Sequence, residues 1–373
     1  MQIIVKTTEA CNGTCIYCSA KSTETTAFHF KQERLGDFFK AFRPWFEQDR
    51  SRTLHYTWHG GEPLLLGPDF FKAVKQRQGE AFGSDLPRVA NLVQSNLTLV
   101  NEEWIPILKE LNAGGRIGTS LDIVDGVRGI RSGENLIRKW LEAAHHLIRN
   151  NLSFGLIYVV HKKSLPLTRD IYYFMKNIVP GVSIRFNPLY REGRAKLKSA
   201  CELEITGEEY GRFLVELCDL WLKDGGRRQV LPLSEWHRAW YGDYSQLCCD
   251  SAGLCHQSHL GIAPNGDVYP CGRFVDTLEL LLGNIFEDGI NDIVNHEIKG
   301  RIAARWTNLR KGPCSDCSFW DLYHGGCPNI SWLYYGDLDA KTFFCDARMA
   351  VFKHFEKVFG PRPIPQSQGR SVN

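Results

Sequence analysis

The first half of the chain alternates short β-rich runs with amphipathic helical stretches. The predicted strands are residues 3–7, 53–58, 89–94, 116–120, 153–160 and 183–187. The predicted helices between them include residues 35–46, 102–111, 136–149 and 167–178. In residues 35–46, phenylalanine and leucine recur at steps of three and four and form one apolar face. Strand-then-helix units in series predict an α/β fold with a parallel sheet, either a partial barrel or a doubly wound sheet.

The pattern changes after residue 205. A helix is predicted over residues 208–222, followed by a region rich in cysteine, glycine and tryptophan. Within it, residues 259–263 and 267–269 flank Asn265-Gly266, a pair typical of a hairpin turn. We therefore expect a barrel-type domain over residues 1–204, a helical bridging region over 205–247 and a small Cys-rich α+β domain over 248–350. Residues 351–373 are expected to hold the end of a C-terminal helix and a loose tail.

Composition narrows the class of protein. The chain has 373 residues, of which 43% are apolar, and its 45 basic and 42 acidic residues give a net charge of only +3. A nucleic-acid-binding protein would carry a concentrated basic face, so no nucleic-acid partner is expected. The sequence shows neither a run of about 18 apolar residues nor a signal peptide. We expect a cytoplasmic protein with no membrane partner.

The thirteen cysteines fall mainly into two groups. Three lie between Cys11 and Cys18, and eight lie between Cys248 and Cys345. In a large chain without a secretion signal, such groups indicate metal binding or catalysis rather than disulfides. The spacing Cys11-x3-Cys15-x2-Cys18 can bind three irons of a 4Fe–4S cluster and leave the fourth iron open. A zinc knuckle lacking its fourth ligand, or reduced core thiols, are the alternatives.

This spacing, with the aromatic Tyr17 before the last cysteine, resembles the signature of the radical S-adenosylmethionine (SAM) superfamily. Further matching positions follow the second, third and fourth predicted strands. The resemblance implies that SAM is bound by Gly60, Gly61, Glu62, Pro63, Asn96, Ser120, Asp122 and Arg131. In the family, the GGEP segment holds the methionine amino group, the fourth strand contacts the ribose and a residue at the position of Arg131 often meets the methionine carboxylate. An isolated GGEP is more often a simple turn, but its place one β/α unit after CxxxCxxC favours the functional interpretation.

The resemblance implies a partial (β/α)6 TIM barrel and a specific chemistry. SAM bound to the open iron is cleaved by one electron into methionine and a 5′-deoxyadenosyl radical, which removes hydrogen from the substrate. The cofactor carries the difficult chemistry, while the protein supplies orientation and excludes water.

The second cysteine group resembles the SPASM extension of radical SAM enzymes that modify peptides. That resemblance implies two auxiliary 4Fe–4S clusters, and hence three clusters in total. One auxiliary cluster would be bound by Cys249, Cys255, Cys271 and Cys327, where Cys249 fits the spacing better than Cys248. The other would be bound by Cys314, Cys317 and Cys345.

The chain departs from the SPASM pattern at one ligand position. The family has another cysteine six residues after Cys317, where this chain has Tyr323. Tyr323, Asp321, His324 or water could complete this cluster, or one iron could stay open to substrate. A zinc ribbon nucleated by Cys314-x2-Cys317 is the alternative.

The reaction is expected to be the oxidation of a peptide. Sulfatase-activating relatives have an aspartate base directly after the position of Cys271, but this chain has Gly272, which counts against formylglycine formation. Asp276 is a candidate substitute, and Asp276 and Tyr323 are the candidate catalytic residues. Residues 187–194 and 269–274 resemble maturases of ribosomally made peptides.

We therefore expect cross-linking of side chains in a ribosomally made precursor peptide, with a cyclophane-type C–C bond ahead of a thioether. Formylglycine formation on a peptide or sulfatase is the alternative reaction. A purely electron-transferring iron–sulfur protein is the alternative outside enzymes, and the GGEP segment argues against it. A flavodoxin or ferredoxin-type reductant is expected to supply the electron. Cys11 leaves no room before it for the usual leader-binding domain, so another surface or partner is expected to recognise the leader.

Overall fold

The computed structural model describes residues 1–20, 28–111 and 117–363. Its strands are β1 Gln2–Thr8, β2 Leu54–Gly60, β3 Val89–Ser95, β4 Ile117–Ser120, β5 Phe154–Val160, β6 Ser183–Pro188, β7 Val230–Leu231, β8 His259–Ile262, β9 Asp267–Tyr269 and β10 Gly283–Asn284. All six strands predicted for the first half are therefore present. Arg116, at the start of the fourth prediction, and most of the predicted loose tail (residues 364–373) lie outside the described residues.

The helices are concentrated between the strands of the first half and again near the C-terminus. They are α1 Leu35–Ala41, α2 Arg43–Phe46, α3 Gly67–Phe82, α4 Trp104–Leu111, α5 Leu136–Arg149, α6 Thr168–Ile178, α7 Gly207–Lys223, α8 Leu233–Trp240, α9 Cys249–Ala252, α10 Cys255–Ser258, α11 Ile290–Val294, α12 Glu297–Lys311, α13 Trp320–Tyr323, α14 Pro328–Tyr335 and α15 Cys345–Phe359. None of the helices in the described ranges is both long and apolar enough to cross a membrane.

The chain forms two compact units, each built from three stretches of sequence. Unit 1 comprises Met1–Val159, Leu189–Glu204 and Leu254–Ala304. Unit 2 comprises Val160–Pro188, Ile205–Gly253 and Arg305–Asn373. Each unit combines segments that are distant along the chain, so the units cannot be compared directly with the consecutive domains expected from the sequence. Those domain boundaries therefore stay predictions.

Unit 1 contains a mixed sheet whose centre is parallel. Its strands lie in the order β10-β9-β8-β1-β2-β3-β4-β5. Strands β1 to β5 pair in parallel, β8 joins β1 in parallel, and the predicted hairpin adds β9 antiparallel to β8. The α/β class and the parallel sheet expected from the sequence are therefore confirmed. In such a sheet the carboxyl ends of consecutive strands share one edge, so the loops after β1 to β4 meet there.

The two faces of β1 and β2 differ in character. Val5 and Trp58 are fully buried on the face that packs against helices, where Trp58 meets the Phe39 ring edge-on at 6.2 Å. The opposite face carries Lys6 paired in register with His59, and both are only partly buried. A strand covered equally on both sides would be apolar throughout. The polar face is therefore available for ligand binding.

One sequence-predicted helix is interrupted. The single helix predicted over residues 35–46 is two helices, α1 and α2, separated at Phe42. Pro44 has no amide hydrogen and cannot donate to the carbonyl one turn earlier, so the α-helical ladder breaks there. The apolar stripe survives the break, because Phe38, Phe42 and Phe46 are all buried.

A buried arginine ties together the loops of unit 2. Arg305 is 1% exposed. Its Nε donates to the Leu338 carbonyl at 2.6 Å, and its Nη2 donates to the carbonyls of Gly325 and Ala340 at 3.0 and 2.9 Å. Nη2 also donates to Ser331 Oγ at 3.1 Å. One cation thus satisfies carbonyls from two connecting segments and the Ser331 hydroxyl of α14.

We predict that Arg305→Met lowers the free energy of unfolding by about 3 kcal/mol or more, because it leaves several buried carbonyls without a donor. The matched control is Arg301→Met on the exposed side of the same helix, which should change stability by less than about 0.5 kcal/mol. Chemical denaturation of both variants measures the difference. Equal stability of the two variants would show that the Arg305 contacts do not hold these loops.

Candidate active site

The loop after β1 carries Cys11, Cys15 and Cys18, and it brings the first two thiols together around Gly13. A Cβ at Gly13 would lie 3.3 Å from Cys11 Sγ and 3.8 Å from Cys15 Sγ, and the Gly13 amide donates to Cys11 Sγ at 3.2 Å. Burial raises the pKa of Cys11 to about 11 and also raises that of Cys18, and neighbouring thiols of the loop add to both shifts. Thiolates are the form that binds iron. A bound cation is therefore what would keep the Cys11 and Cys18 thiols ionised.

Two glycines fix the end of β2 against the chain that precedes these cysteines. Gly60 has a φ of 134°, and a Cβ there would lie 2.3 Å from the Thr8 carbonyl oxygen. A Cβ at Gly61 would lie 2.1 Å from the Ala10 carbonyl oxygen. The Gly61 and Glu62 amides donate to these same carbonyls, at 2.7 and 2.8 Å. Only glycine permits so close an approach of two backbones.

The glutamate of the GGEP segment is buried beside the end of β3. Glu62 is 1% exposed. Its Oε1 accepts from Ser95 Oγ at 2.8 Å and from the Leu64 amide at 3.1 Å, and its Oε2 accepts from the Asn96 amide at 2.8 Å. Burial nevertheless raises the pKa of Glu62 to about 7. A carboxylate in this setting gains from a cationic ligand group, such as the ammonium of an amino acid. Pro63 begins the short 3-10 turn that follows.

Asn96 links this carboxylate to the cysteine loop. Its side-chain amide donates to Asn12 Oδ1 at 2.8 Å, and Asn12 Nδ2 donates in turn to Thr98 Oγ1 at 2.8 Å. Thr98 Oγ1 closes the ring by donating to Asn96 Oδ1 at 2.6 Å. Because Asn12 lies directly after Cys11, the structure brings the predicted residues Glu62 and Asn96 to the first cysteine.

The loop after β4 contributes an arginine that sequence reasoning missed. Arg128 Nε donates to Cys15 Sγ at 3.3 Å, and its Nη2 donates to Ser120 Oγ at 3.0 Å. Ser120 is therefore next to the cysteine loop, as predicted. No motif marks Arg128, and the only signal was a positive charge in the loop after a candidate strand.

Two other predicted residues of this loop have structural contacts. Asp122 is 2% exposed, and its Oδ1 accepts from the Val124 amide at 2.9 Å and from the Tyr158 hydroxyl at 3.2 Å. Arg131 Nε donates to the Cys11 carbonyl at 3.0 Å, and its amide donates to the Asn12 carbonyl at 2.8 Å. Arg131 therefore holds the backbone of the cysteine loop. Its role as a SAM carboxylate ligand stays a prediction.

A group of charged side chains lies on the polar face of β1. Lys6 Nζ is 3.9 Å from Asp276 Oδ2. Burial raises the pKa of Glu192 above its ordinary value, against the opposing effects of Arg273 and Lys6. Arg273 also donates to the Tyr190 hydroxyl at 3.1 Å. The candidate residue Asp276 is thus brought to the open face of the sheet, together with a second carboxylate that the sequence did not reveal.

The loop that carries Glu192 rests on the first cysteine loop. The Arg194 amide donates to the Cys18 carbonyl at 2.8 Å. A Cβ at Gly193 would lie 2.4 Å from the Ser19 carbonyl oxygen and 2.6 Å from that of Cys18. Glu192 is therefore anchored, through the residues that follow it, to the segment that holds the last of the three thiols.

Two further cysteines of unit 1 share a buried lysine. Cys255 begins α10, and Cys271 follows β9. Gly261 of the paired strand β8 packs closely against Cys271, because a Cβ at residue 261 would lie 2.3 Å from the Cys271 carbonyl oxygen. Lys299 donates to the His259 carbonyl at 3.1 Å. Burial lowers the pKa of Lys299 to about 8, and the two thiols oppose that effect. The thiols of Cys255 and Cys271 are therefore both close enough to the Lys299 ammonium to interact with it electrostatically.

Unit 2 holds the remaining predicted cysteine ligands. Burial raises the pKa of Cys345 to about 11, and Cys314 and Cys317 add to the shift, so these three thiols lie near one another. Cys327 is buried, and Cys249 is exposed at the start of α9. Across the described ranges, no three His, Cys, Asp or Glu side chains are arranged to hold a single metal ion.

The neighbouring Cys248 has other contacts within unit 2. Its thiol donates to Asp250 Oδ1 and accepts from Arg185 Nη1 at 3.4 Å. These contacts engage the Cys248 sulfur, and the choice of Cys249, an exposed thiol, as the ligand stays a prediction. The first auxiliary set (Cys249, Cys255, Cys271 and Cys327) draws residues from both units and stays a prediction.

We predict that Gly61→Ala destabilises the protein by about 1–3 kcal/mol, because the new methyl group meets a backbone carbonyl that cannot move aside. The control is Gly79→Ala inside α3, where a Cβ would meet nothing within 4 Å and where alanine favours helix by about 1 kcal/mol. Thermal unfolding of both variants measures the difference. A Gly61→Ala protein as stable as its parent would refute the close approach of the two backbones.

Comparison with known families agrees with this geometry. The profile of the radical SAM superfamily matches residues 5–165, which include the cysteine loop, the GGEP segment and the loops after β3 and β4. The profile of the SPASM iron–sulfur cluster-binding domain matches residues 249–318.

Individual relatives span most of the chain. The serine-type anaerobic sulfatase-maturating enzyme of Klebsiella aerogenes is 27% identical over 325 residues, covering 86% of this chain and 77% of the relative. Among solved structures, native anSMEcpe with bound AdoMet aligns with a TM-score of 0.81 at 20% identity, covering 96% of this chain and 97% of that one. Streptococcus suis SuiB bound to precursor peptide SuiA aligns with a TM-score of 0.62 at 12% identity, covering 93% and 75%. These structures confirm the fold expected for the chain.

The open iron position implied by the three-thiol loop, the buried Glu62 beside it and the two matching profiles lead to one assignment. This chain is a radical SAM enzyme with a SPASM iron–sulfur domain, and it is homologous to the anaerobic sulfatase-maturating enzymes.

Proposed function

We propose that this enzyme oxidises a side chain of a peptide or protein substrate on the polar face of its sheet. Bound SAM and a 4Fe–4S cluster would supply the radical chemistry that removes a hydrogen atom, and an auxiliary cluster would serve as acceptor for the second electron. The proposal is carried by one observation: the three-thiol loop is fixed to a buried carboxylate, Glu62, through the backbone and through Asn96 and Asn12.

The residues of unit 1 fit the groups that SAM and its cluster would bring. Cys11, Cys15 and Cys18 supply three thiolates, and Arg128 donates to one of them. Glu62 provides a negative charge for the methionine ammonium. These residues bind and orient the cofactor, and their burial limits the access of water.

Asp276 is proposed to accept the proton that substrate oxidation releases. Gly272 has no room for a side chain, because its Cβ would lie 2.5 Å from Ile4 Cγ2. Asp276 lies further along the same loop beside Lys6, on the same face of β1 as Ile4. The loop thus compensates for Gly272 by presenting a carboxylate from a later position. The Lys6 ammonium lies 3.9 Å from that carboxylate and holds it on this face of the sheet, where it can take up a proton from the substrate.

The position of Asp276 changes the balance between the candidate reactions. Gly272 offers no base at the position directly after Cys271, but Asp276 offers one nearby. The relatives named as sulfatase-maturating enzymes favour the same reaction. We therefore propose formylglycine-type oxidation of a serine or cysteine first. Cross-linking of a precursor peptide is the second candidate, favoured by the departure at Gly272, and no comparison supports the cyclophane bond in particular.

We predict that the anaerobically reconstituted enzyme, given SAM and dithionite, removes two hydrogen atoms from a peptide spanning a sulfatase active-site serine. Serine oxidation and cross-linking give the same mass change, so a hydrazide probe that labels only aldehydes separates them. The control peptide has alanine in place of the serine. If short peptides encoded beside the gene lose hydrogen without hydrazide labelling, cross-linking is the reaction. SAM cleavage that changes neither kind of peptide would contradict the proposed function.

We predict that Asp276→Asn lowers the rate of peptide oxidation by about 100-fold or more, the usual contribution of a general base. SAM cleavage without peptide should stay near the parent rate, because Asp276 is not part of the three-thiol loop. The matched control is Glu279→Gln, an exposed carboxylate three residues further on. Parallel product assays by mass spectrometry test this, and full peptide oxidation by Asp276→Asn would transfer the role to Glu192.

We predict that replacing Cys11, Cys15 and Cys18 together by alanine abolishes release of 5′-deoxyadenosine. The auxiliary iron–sulfur absorbance should remain, because the cysteines of the SPASM region are untouched. The control variant is Cys201→Ala, an exposed thiol outside both groups. Undiminished release by the triple variant would overturn the assignment of the cluster that cleaves SAM.

A further inference from the structure

Unit 2 contains three buried side chains with donor groups that lack acceptors. Tyr323, Thr342 and Arg348 are 2%, 1% and 3% exposed. Within the described part of the chain, Tyr323 Oη, Thr342 Oγ1 and two guanidinium nitrogens of Arg348 (Nε and Nη1) have no hydrogen-bond partner. An unsatisfied buried polar group costs about 1–3 kcal/mol, and more than about 90% of such groups are paired in folded proteins. A group of orphan donors in one place indicates a ligand that supplies the acceptors.

These three side chains lie together beside the predicted cluster ligands. Tyr323 Oη and Thr342 Cγ2 lie 2.4 and 2.6 Å from one point, the position of a Cβ on Gly326. Cys345 is held to Thr342 by a backbone hydrogen bond of 3.0 Å. Arg348 follows Cys345 by one helical turn, on the same side of α15, and its guanidinium lies 5.3 Å from the centre of the Tyr323 ring.

Gly326 provides the space in which the phenol oxygen lies. Its φ is 76°, a left-handed conformation that favours glycine. Any larger residue there would collide with Tyr323 Oη. The phenol oxygen is therefore accommodated by a neighbouring backbone position, directly before Cys327, and among the described residues it has no hydrogen-bond partner.

The other two protein candidates for the missing ligand are already engaged. The Asp321 side chain is 55% exposed and pairs with Arg362 at 3.2 Å. The His324 ring stacks on Trp306 with centroids 4.4 Å apart, and its Nδ1 is 2.6 Å from the Ser251 carbonyl oxygen. Of the three side chains, only Tyr323 combines deep burial with an unpaired polar atom near Cys345.

We propose that the phenol oxygen of Tyr323 is the fourth ligand of the second auxiliary 4Fe–4S cluster, completing the set of Cys314, Cys317 and Cys345. On binding, the phenol loses its proton to solvent and forms an iron–oxygen bond. Arg348 and Thr342 donate hydrogen bonds to the cluster sulfides or to the ligating oxygen. The inference rests on the proposed iron–sulfur content of the SPASM region and assigns a residue of this chain to it.

Oxygen ligation makes this cluster different from an all-thiolate one. A phenolate is a harder donor than a thiolate, and ligand identity is one of the protein's main controls over the potential of a cluster. The cationic Arg348 lies 5.3 Å from the centre of the ring. Its positive charge would stabilise the reduced cluster, because reduction adds a negative charge. A phenolate bound to iron also gives a charge-transfer transition and ring vibrations that can be observed directly.

The test uses the full chain with Cys11, Cys15 and Cys18 changed to alanine, so that only auxiliary clusters contribute. Resonance Raman spectra of this protein, grown with ordinary or ring-deuterated tyrosine, should contain iron–phenolate bands that shift on deuteration. Tyr323→Phe should remove those bands and change the paramagnetic resonance spectrum of the reduced protein. Tyr335→Phe, an exposed tyrosine on α14, should leave both spectra unchanged.

Tyr323→Cys keeps the test informative if the phenylalanine variant does not fold. It should retain the iron of both auxiliary clusters, lack the phenolate bands and have a shifted reduction potential. If the protein with Tyr323 intact contains iron for two auxiliary clusters but shows no deuterium-sensitive bands, the assignment of Tyr323 as a ligand is overturned while the cluster content stands. Iron for fewer than two auxiliary clusters in the parent would overturn the cluster content on which it rests.

Discussion

The close approach of two backbones at the ends of β1 and β2 is the constraint on which the site depends. The parallel pairing of these strands directs both chains to the same edge of the sheet, and Gly60 and Gly61 then allow them to touch. The contact lies directly before Cys11 and places Glu62 under the cysteine loop. A side chain at either glycine would push the carboxylate and the thiols apart. The buried carboxylate of Glu62 and the start of the cysteine loop are therefore positioned by one local contact.

The same strands account for the substrate side of the site. Because side chains alternate along a strand, β1 buries Val5 among aromatic residues and turns Lys6 to the opposite face. Lys6 then attracts Asp276, while the loop of Glu192 is held against the segment of Cys18. The carboxylates proposed to serve substrate oxidation are thus fixed close to the loop that carries Cys11, Cys15 and Cys18.

Residues whose role is imposed by local backbone geometry were predictable from the sequence. The CxxxCxxC spacing and the GGEP segment are local, and the alternation of strands and helices gave all six strands of the first half. Arg128, Glu192 and Arg348 were not predictable, because each acts through partners distant in sequence or on another element. The break at Phe42 was missed for another reason. The apolar periodicity continues through it, although Pro44 cannot take part in the helical ladder.

The central claim is that a radical from SAM oxidises a peptide held beside the three-thiol loop. It is tested most directly by giving the parent enzyme SAM and the peptide that it modifies, with deuterium on the carbon that is oxidised. The account predicts that deuterium moves from the peptide into 5′-deoxyadenosine as the modified peptide forms. Modified peptide accompanied only by unlabelled 5′-deoxyadenosine would contradict it.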